Sequence, residues 1–207
     1  MIAPEDALLR LQEGNARFVS GDIASGSQHY RVSREQIVAA QEPFAIVVGC
    51  SDSRVPVEIV FDQGLGDLFV IRIAGNVVSK TQLGSIEFAA LEYGTRLVVV
   101  LGHTGCGAMA AAAATVQGGK DPGSDNLRLL VEQVRPAVMR AVDVDGDVAS
   151  AAFADRVGRE NVRHSVEVIQ TGSGVIRRLV EDDGLLVVGA EYSLATGSVA
   201  FFDRVSR

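Results

Sequence analysis

Phe44-Ala45-Ile46-Val47-Val48-Gly49 runs directly into Cys50-Ser51-Asp52-Ser53-Arg54. The apolar run is short, uncharged and rich in β-branched side chains, which is the pattern of a strand buried on both faces. Leu97-Val98-Val99-Val100-Leu101-Gly102 has the same character and runs into His103-Thr104-Gly105-Cys106-Gly107. Open α/β sheets place their ligand sites at the carboxyl ends of their strands. Two neighbouring parallel strands of this kind bring two thiols and an imidazole to one sheet edge.

Working outward, residues 4–20 read as an amphipathic helix with Pro4 near its start. Gly21 to Gln28 reads as a loop, and Ser33 with Gln36 as a capping box opening a short helix through Gln41. This helical arm, residues 1–42, precedes an α/β core over 43–207. Within the core, strands are expected at 44–49, 68–73 and 97–101, then 185–190 and, after a Thr196-Gly197 hairpin, 199–202. The first three read as buried. A helical turn is expected at 56–61, and helices at 83–93, 108–116, 125–141, 147–171 and 174–182. The alternation predicts a mostly parallel central sheet with an antiparallel edge strand and flanking helices, in a single domain.

Bulk properties narrow the function. The net charge of −7, with no Lys/Arg cluster, argues against nucleic acid or an anionic membrane as partner. No apolar run approaches the ~20 residues needed to cross a bilayer. No signal-peptide pattern opens the chain, so the expectation is a soluble cytoplasmic protein. In a reducing compartment two cysteines are ligands or inert core rather than a disulfide.

Cys50, His103 and Cys106 suit zinc, which takes thiolate and imidazole in tetrahedral sites and leaves a fourth position to water when the protein supplies three ligands. A lone cysteine is commonly just a buried core residue. Three soft donors at two strand ends, with an Asp-x-Arg between them, argue for the metal. Asp52 and Arg54 lie two apart, and a guanidinium fork holds a carboxylate by two charge-assisted bonds. The carboxylate can then accept a hydrogen bond from an oxygen at the metal and exclude oxygens that carry no proton. As a mere exposed ion pair it would contribute only ~0–1 kcal/mol. Gly107 reads equally as tight-turn chemistry or as a helix-start N–H facing an anionic oxygen.

C-x-D-x-R at 50–54, followed by H-x-x-C at 103–106, resembles the β-class carbonic anhydrases. Val55-Pro56, Phe61-Asp62, Gly66 through Val70, Arg72, Ala74-Gly75-Asn76 and Gly84 through Glu87 follow in that family's manner and order. The resemblance spans roughly residues 5 to 205. It implies one Zn2+ per chain on Cys50, His103 and Cys106, and attack of zinc-bound hydroxide on carbon dioxide to give bicarbonate and a proton. Asp52 and Arg54 are then catalytic, with Asp52 a fourth zinc ligand only in a closed state. Gln41 matches the amide that orients substrate. Phe69, Ala74 and Phe88 match a small apolar wall built partly by a partner subunit, although plain core packing explains these three equally well. The implied assembly is a homodimer or homotetramer, with the N-terminal arm wrapped around a second subunit.

Glu92 stands where plant-type members carry a histidine proton shuttle. Arg72 and Tyr192 match two parts of a regulatory bicarbonate pocket whose tryptophan is replaced here by Val47. An open site, with Asp52 on Arg54, is therefore expected. Two other functions fit the same residues. One is hydrolysis of carbon disulfide or carbonyl sulfide, which are isosteric linear substrates. The other is a non-catalytic zinc-stabilised interaction or sensor protein, which requires Asp52 as a permanent fourth ligand.

Overall fold

β1 (Ala45–Gly49) and β3 (Leu97–His103) lie side by side and parallel, with Ile46 opposite Val98 and Gly49 opposite Leu101. This computed structural model describes residues 2–22, 38, 40–144 and 150–205. Among them, five strands form one sheet in the order β2-β1-β3-β4-β5. β2 (Leu68–Arg72) and β4 (Leu186–Tyr192) are parallel to their neighbours, and β5 (Val199–Val205) closes one edge antiparallel to β4. The expected α/β architecture is therefore observed.

The helices are α1 (Pro4–Ser20), α2 (Val57–Val60), α3 (Lys80–Glu92), α4 (Gly107–Gly118), α5 (Asp125–Val144), α6 (Ala151–Gly172) and α7 (Gly174–Asp182). A single 3₁₀ turn, Ala74–Asn76, joins β2 to α3. Several bounds differ from the sequence reading. β2 reads as buried but is only half-buried, because it is an edge strand with a neighbour on one side. α3 begins three residues early, since Ser79 and Gln82 form a capping box. β3 extends to His103 itself, so that ligand candidate is the last strand residue rather than a loop residue. Residues 23–28 of the expected loop, 33–37 and 39 of the expected second helix, and 147–149 of the helix expected at 147–171 fall outside the described residues; Ala40 and Gln41 are not helical.

Alternate strand residues face opposite layers, as the two-residue period requires. Val47, Val99 and Val188 pack with Leu8, Leu11, Val57 and Phe61 on one side. Ile46, Val48, Val98, Val100 and Val187 pack with Ile86, Val162, Ile169 and Ile176 on the other. α1 is thus not a free arm but a layer of its own chain's core. It comes close enough that a Cβ on Gly14 would sit 1.9 Å from the Phe61 carbonyl oxygen. The next residue, Asn15, is buried and donates to the Val60 and Gly197 carbonyls at 3.1 and 2.9 Å while accepting from the Val199 N–H at 2.8 Å. Asn15→Ala leaves these backbone groups unsatisfied, so urea unfolding should show a loss of ~1–3 kcal/mol per group exposed to burial without a partner. An unchanged midpoint would show that α1 is not held this way.

Candidate metal centre

The parallel register of β1 and β3 carries Cys50 and His103 to the same edge, and a tight turn with Gly105 at φ 64° returns the chain to Cys106. All three residues are buried, and their donor atoms lie within 4.8 Å of one another. The two sulfurs are 4.0 Å apart. His103 Nδ1 lies 3.0 Å from the Thr104 carbonyl, which can only accept, so Nδ1 carries the proton and the lone pair sits on Nε2. Nε2 is buried and has no hydrogen-bond partner. An orphaned imidazole nitrogen beside two thiols is the donor set of a soft-metal site, and three donors leave a fourth position open.

The electrostatics agree with that reading. The Cys50 thiol is held well below its ordinary range, chiefly by the hydrogen bond from Cys106 and, against the cost of burial, by His103 and the Asp52 and Gly75 N–H groups. Cys106 is pushed up by that same bond and by burial, so the metal-free pair shares one proton. Burial disfavours the charged form of His103, but the Cys50 thiolate and the Thr104 carbonyl outweigh it and raise its pKa. Cys106 occupies the N-cap position of α4, and the Ala108 and Met109 N–H groups at that helix start favour its thiolate.

Beside the thiols, Arg54 grips Asp52. Its Nε donates to Asp52 Oδ1 at 2.9 Å, its Nη2 to Oδ2 at 2.7 Å, and its backbone N–H to Oδ1 at 3.0 Å. The fork lowers the Asp52 pKa below the ordinary carboxylate range. Arg54 Nη2 also reaches the Gly105 carbonyl at 3.3 Å, tying the two ligand loops together. Asp52 Oδ2 lies 3.8 Å from His103 Nε2, so the carboxylate borders the metal position while both its oxygens are held by Arg54.

Ala74 opens the turn whose Gly75 N–H meets Cys50 Sγ at 3.3 Å, and Gly107 is the exposed first residue of α4. The other three expected substrate residues are elsewhere. Phe69 pairs with Ile46, four residues before Cys50, which places it about 13 Å back along the sheet at ~3.3 Å per residue. Its ring lies tilted against those of Phe88 and Tyr93, and Gln41 donates to the Tyr93 hydroxyl at 2.8 Å. Gln41 and Tyr93 also line a cavity of about 830 Å³ at the amino-terminal edge of the sheet. Glu92 is the last residue of α3 and directly precedes Tyr93.

Val47 is fully buried sheet core. Arg72, which matches one part of an anion pocket expected to be weak without its tryptophan, spends its Nε on the Cys50 carbonyl at 3.0 Å and its Nη2 on the Asp52 carbonyl at 2.7 Å. Asp155 Oδ1 accepts from the Gly105 N–H at 2.8 Å. Neither bracing role has a motif, because backbone carbonyls and amides carry no sequence signal.

Four likenesses follow from comparison with known proteins. The family model described as carbonic anhydrase matches residues 45–199. Carbonic anhydrase 2 of Mycobacterium tuberculosis is 39% identical over 202 residues, 98% of this chain and 94% of that protein. A carbonic anhydrase of Mycolicibacterium smegmatis is 40% identical over 196 residues, 95% and 92% of the two chains. Among solved structures, one of two tetrameric β-carbonic anhydrases from Sordaria macrospora superposes with a TM-score of 0.75 at 22% identity, covering 95% of this chain and 96% of that one. At that identity the likeness concerns the fold.

Because the Asp52 pKa is depressed by its partner, Asp52 is an anion above its ordinary ~3.9 and stays one as pH falls until its lower folded value is reached. The stabilisation it gains from the pair is whole above the ordinary value, declines as pH falls below it, and is gone once pH passes the lower folded value. A carboxyl-carbon NMR titration should show no Asp52 inflection near pH 4 in the native chain, and an upward-shifted inflection in Arg54→Ala. An inflection at the ordinary value in both would contradict the pairing.

Proposed function

We propose a function from one settled premise: this chain belongs to the β-carbonic anhydrase family. It is a zinc-dependent enzyme that interconverts carbon dioxide with bicarbonate and a proton. We assign Cys50, His103 and Cys106 as the ligands of one zinc ion per chain. The observation that carries this is the buried sulfur pair with an unpartnered imidazole nitrogen, bordered by a carboxylate that a guanidinium holds in place.

When bound, zinc supplies a Lewis acid that makes a water nucleophilic near neutral pH, behaviour for which carbonic anhydrase is itself the standard example. The chain's own residues do the rest. Asp52, held ionised, is purely an acceptor, so it orients an oxygen that carries a proton and turns away one that does not. Arg54 keeps its oxygens aimed. The Gly107 N–H, at the start of α4, offers a donor to an anionic oxygen of the product. The engagement of Asp52 by Arg54 supports a catalytic site over a saturated structural one, since a permanent fourth ligand is not on offer.

Gln41, Phe69 and Phe88 serve substrate only if they face another copy's metal centre. Phe88 is 51% exposed and the cluster lies far from its own chain's Cys50, which supports a homo-oligomer built on a dimer. No helix among the described residues is long and apolar enough to cross a membrane. With two unpaired cysteines, a reducing cytoplasmic setting suits the chain.

The test is metal content with stopped-flow carbon dioxide hydration on the purified protein. Zinc at one per chain and hydration activity are expected, and Cys106→Ser should lose most of both. Full zinc and full rate in Cys106→Ser would overturn the ligand assignment. Asp52→Asn and Arg54→Ala should each slow turnover by roughly 100-fold or more, the low end of what positioned proton-transfer groups contribute. The double variant should be little slower than either single, because residues acting as a unit are not additive. Additive losses would separate the two roles.

A further inference from the structure

We propose that Asn161 and Ser165 of α6 are positioning residues for Cys50, acting through the backbone of the turn at 74–76. The proposal rests on the assignment of Cys50 as a zinc ligand. The turn is unusual in having two successive residues in the left-handed region, Gly75 at φ 72° and Asn76 at φ 43°. Asn76 carries a side chain there, and such a conformation persists only when its surroundings over-determine it.

Three contacts do so. Asn161 Nδ2 donates to the Gly75 carbonyl at 2.8 Å, and Ser165 Oγ to the Asn76 carbonyl at 3.2 Å. Both side chains are fully buried, at 1% and 2% exposure, and stand one turn apart on one face of α6. From the other side, a Cβ on Gly75 would meet Met109 Cε at 2.8 Å, so α4 leaves the turn no room to move that way. What the clamp fixes is the Gly75 N–H, which points at Cys50 Sγ from 3.3 Å.

A buried polar side chain on a sheet-facing helix is costly unless it is bonded. α6 carries two, and both bonds go to this one turn. Asn161 Oδ1 has no hydrogen-bond partner, so the amide is kept in place despite one unsatisfied atom. An N–H directed at a thiolate draws charge from the sulfur, and such outer contacts commonly govern metal affinity by 10–100-fold. Neither residue touches the sulfurs, so their effect passes entirely through the turn.

The experiment compares the full chain with Asn161→Ala, Ser165→Ala and Asn15→Ala. Zinc affinity is read by competition with a chromophoric chelator, and the sulfur-to-metal charge-transfer band is read after replacement of zinc by Co2+. Asn161→Ala should bind zinc roughly tenfold or more weakly, with its charge-transfer band moved to lower energy, because a sulfur that loses its N–H donor is easier to oxidise. Ser165→Ala should move both readouts in the same direction by less, and it decides the matter if Asn161→Ala does not fold. Asn15→Ala, a buried amide whose bonds go to Val60, Gly197 and Val199 and not to the turn, should lower thermal stability and leave both readouts unchanged. A native band and affinity in the foldable α6 variants would overturn the proposal, as would an equal shift in Asn15→Ala. If the unsubstituted chain shows no sulfur-to-cobalt band at all, the ligand assignment itself fails, and that outcome is distinct from the others.

Discussion

Two buried sulfurs 4.0 Å apart, with an imidazole nitrogen that has no partner, define the constraint on which the rest of this structure depends. Bare, such a pair holds one proton between two thiols and leaves a polar nitrogen unsatisfied in a dry place. A divalent cation resolves both problems at once. The donors come from strand ends fifty residues apart, so the parallel register of β1 and β3 has to be right to the residue. A slip of one would turn Cys50 to the opposite face. Register is protected by valines on both faces of β1 and β3 and by the close approach of α6. Side chains on Gly102 and Gly189 would meet Val162 at 2.6 and 2.9 Å, so the two glycines let that helix lie against the sheet directly beneath the metal edge.

Charge at this edge is arranged with the same economy. Two arginines serve one short loop, in different ways. Arg54 holds the Asp52 carboxylate and Arg72 holds the backbone carbonyls of Cys50 and Asp52. Arg72 is thereby committed to the loop backbone, and Val47 beneath it is packed sheet core. An anion that drew Arg72 away would release the loop that carries Cys50 and Asp52.

The parts legible in the sequence were those that depend on residue type at fixed spacing. Cys50, His103 and Cys106 were readable because soft donors following apolar β-branched runs are rare and chemically specific. Asp52 and Arg54 were readable because a fork needs its carboxylate two residues away in an extended loop. What escaped depended on neighbours in space. β2 has the composition of a buried strand, and nothing in Leu68–Arg72 says that it lies on an edge. α1 reads as an arm because only the close contact at Gly14 and the bonds of Asn15 show that it docks on its own sheet. Asn161 and Ser165 look like polar residues of an ordinary helix until their partners are seen to be the carbonyls of one strained turn. Gln41, Phe69 and Phe88 were matched to a substrate pocket, yet in the single chain they cluster with Tyr93, far from the thiols.

The central claim is that this sheet edge is a zinc site with two thiolates and one imidazole. X-ray absorption at the zinc edge on the purified protein tests it most directly. The expected result is two sulfurs at ~2.3 Å and two lighter atoms, nitrogen or oxygen, at ~2.0–2.2 Å. A shell with no sulfur, or with oxygen atoms alone at six-fold coordination, would contradict it.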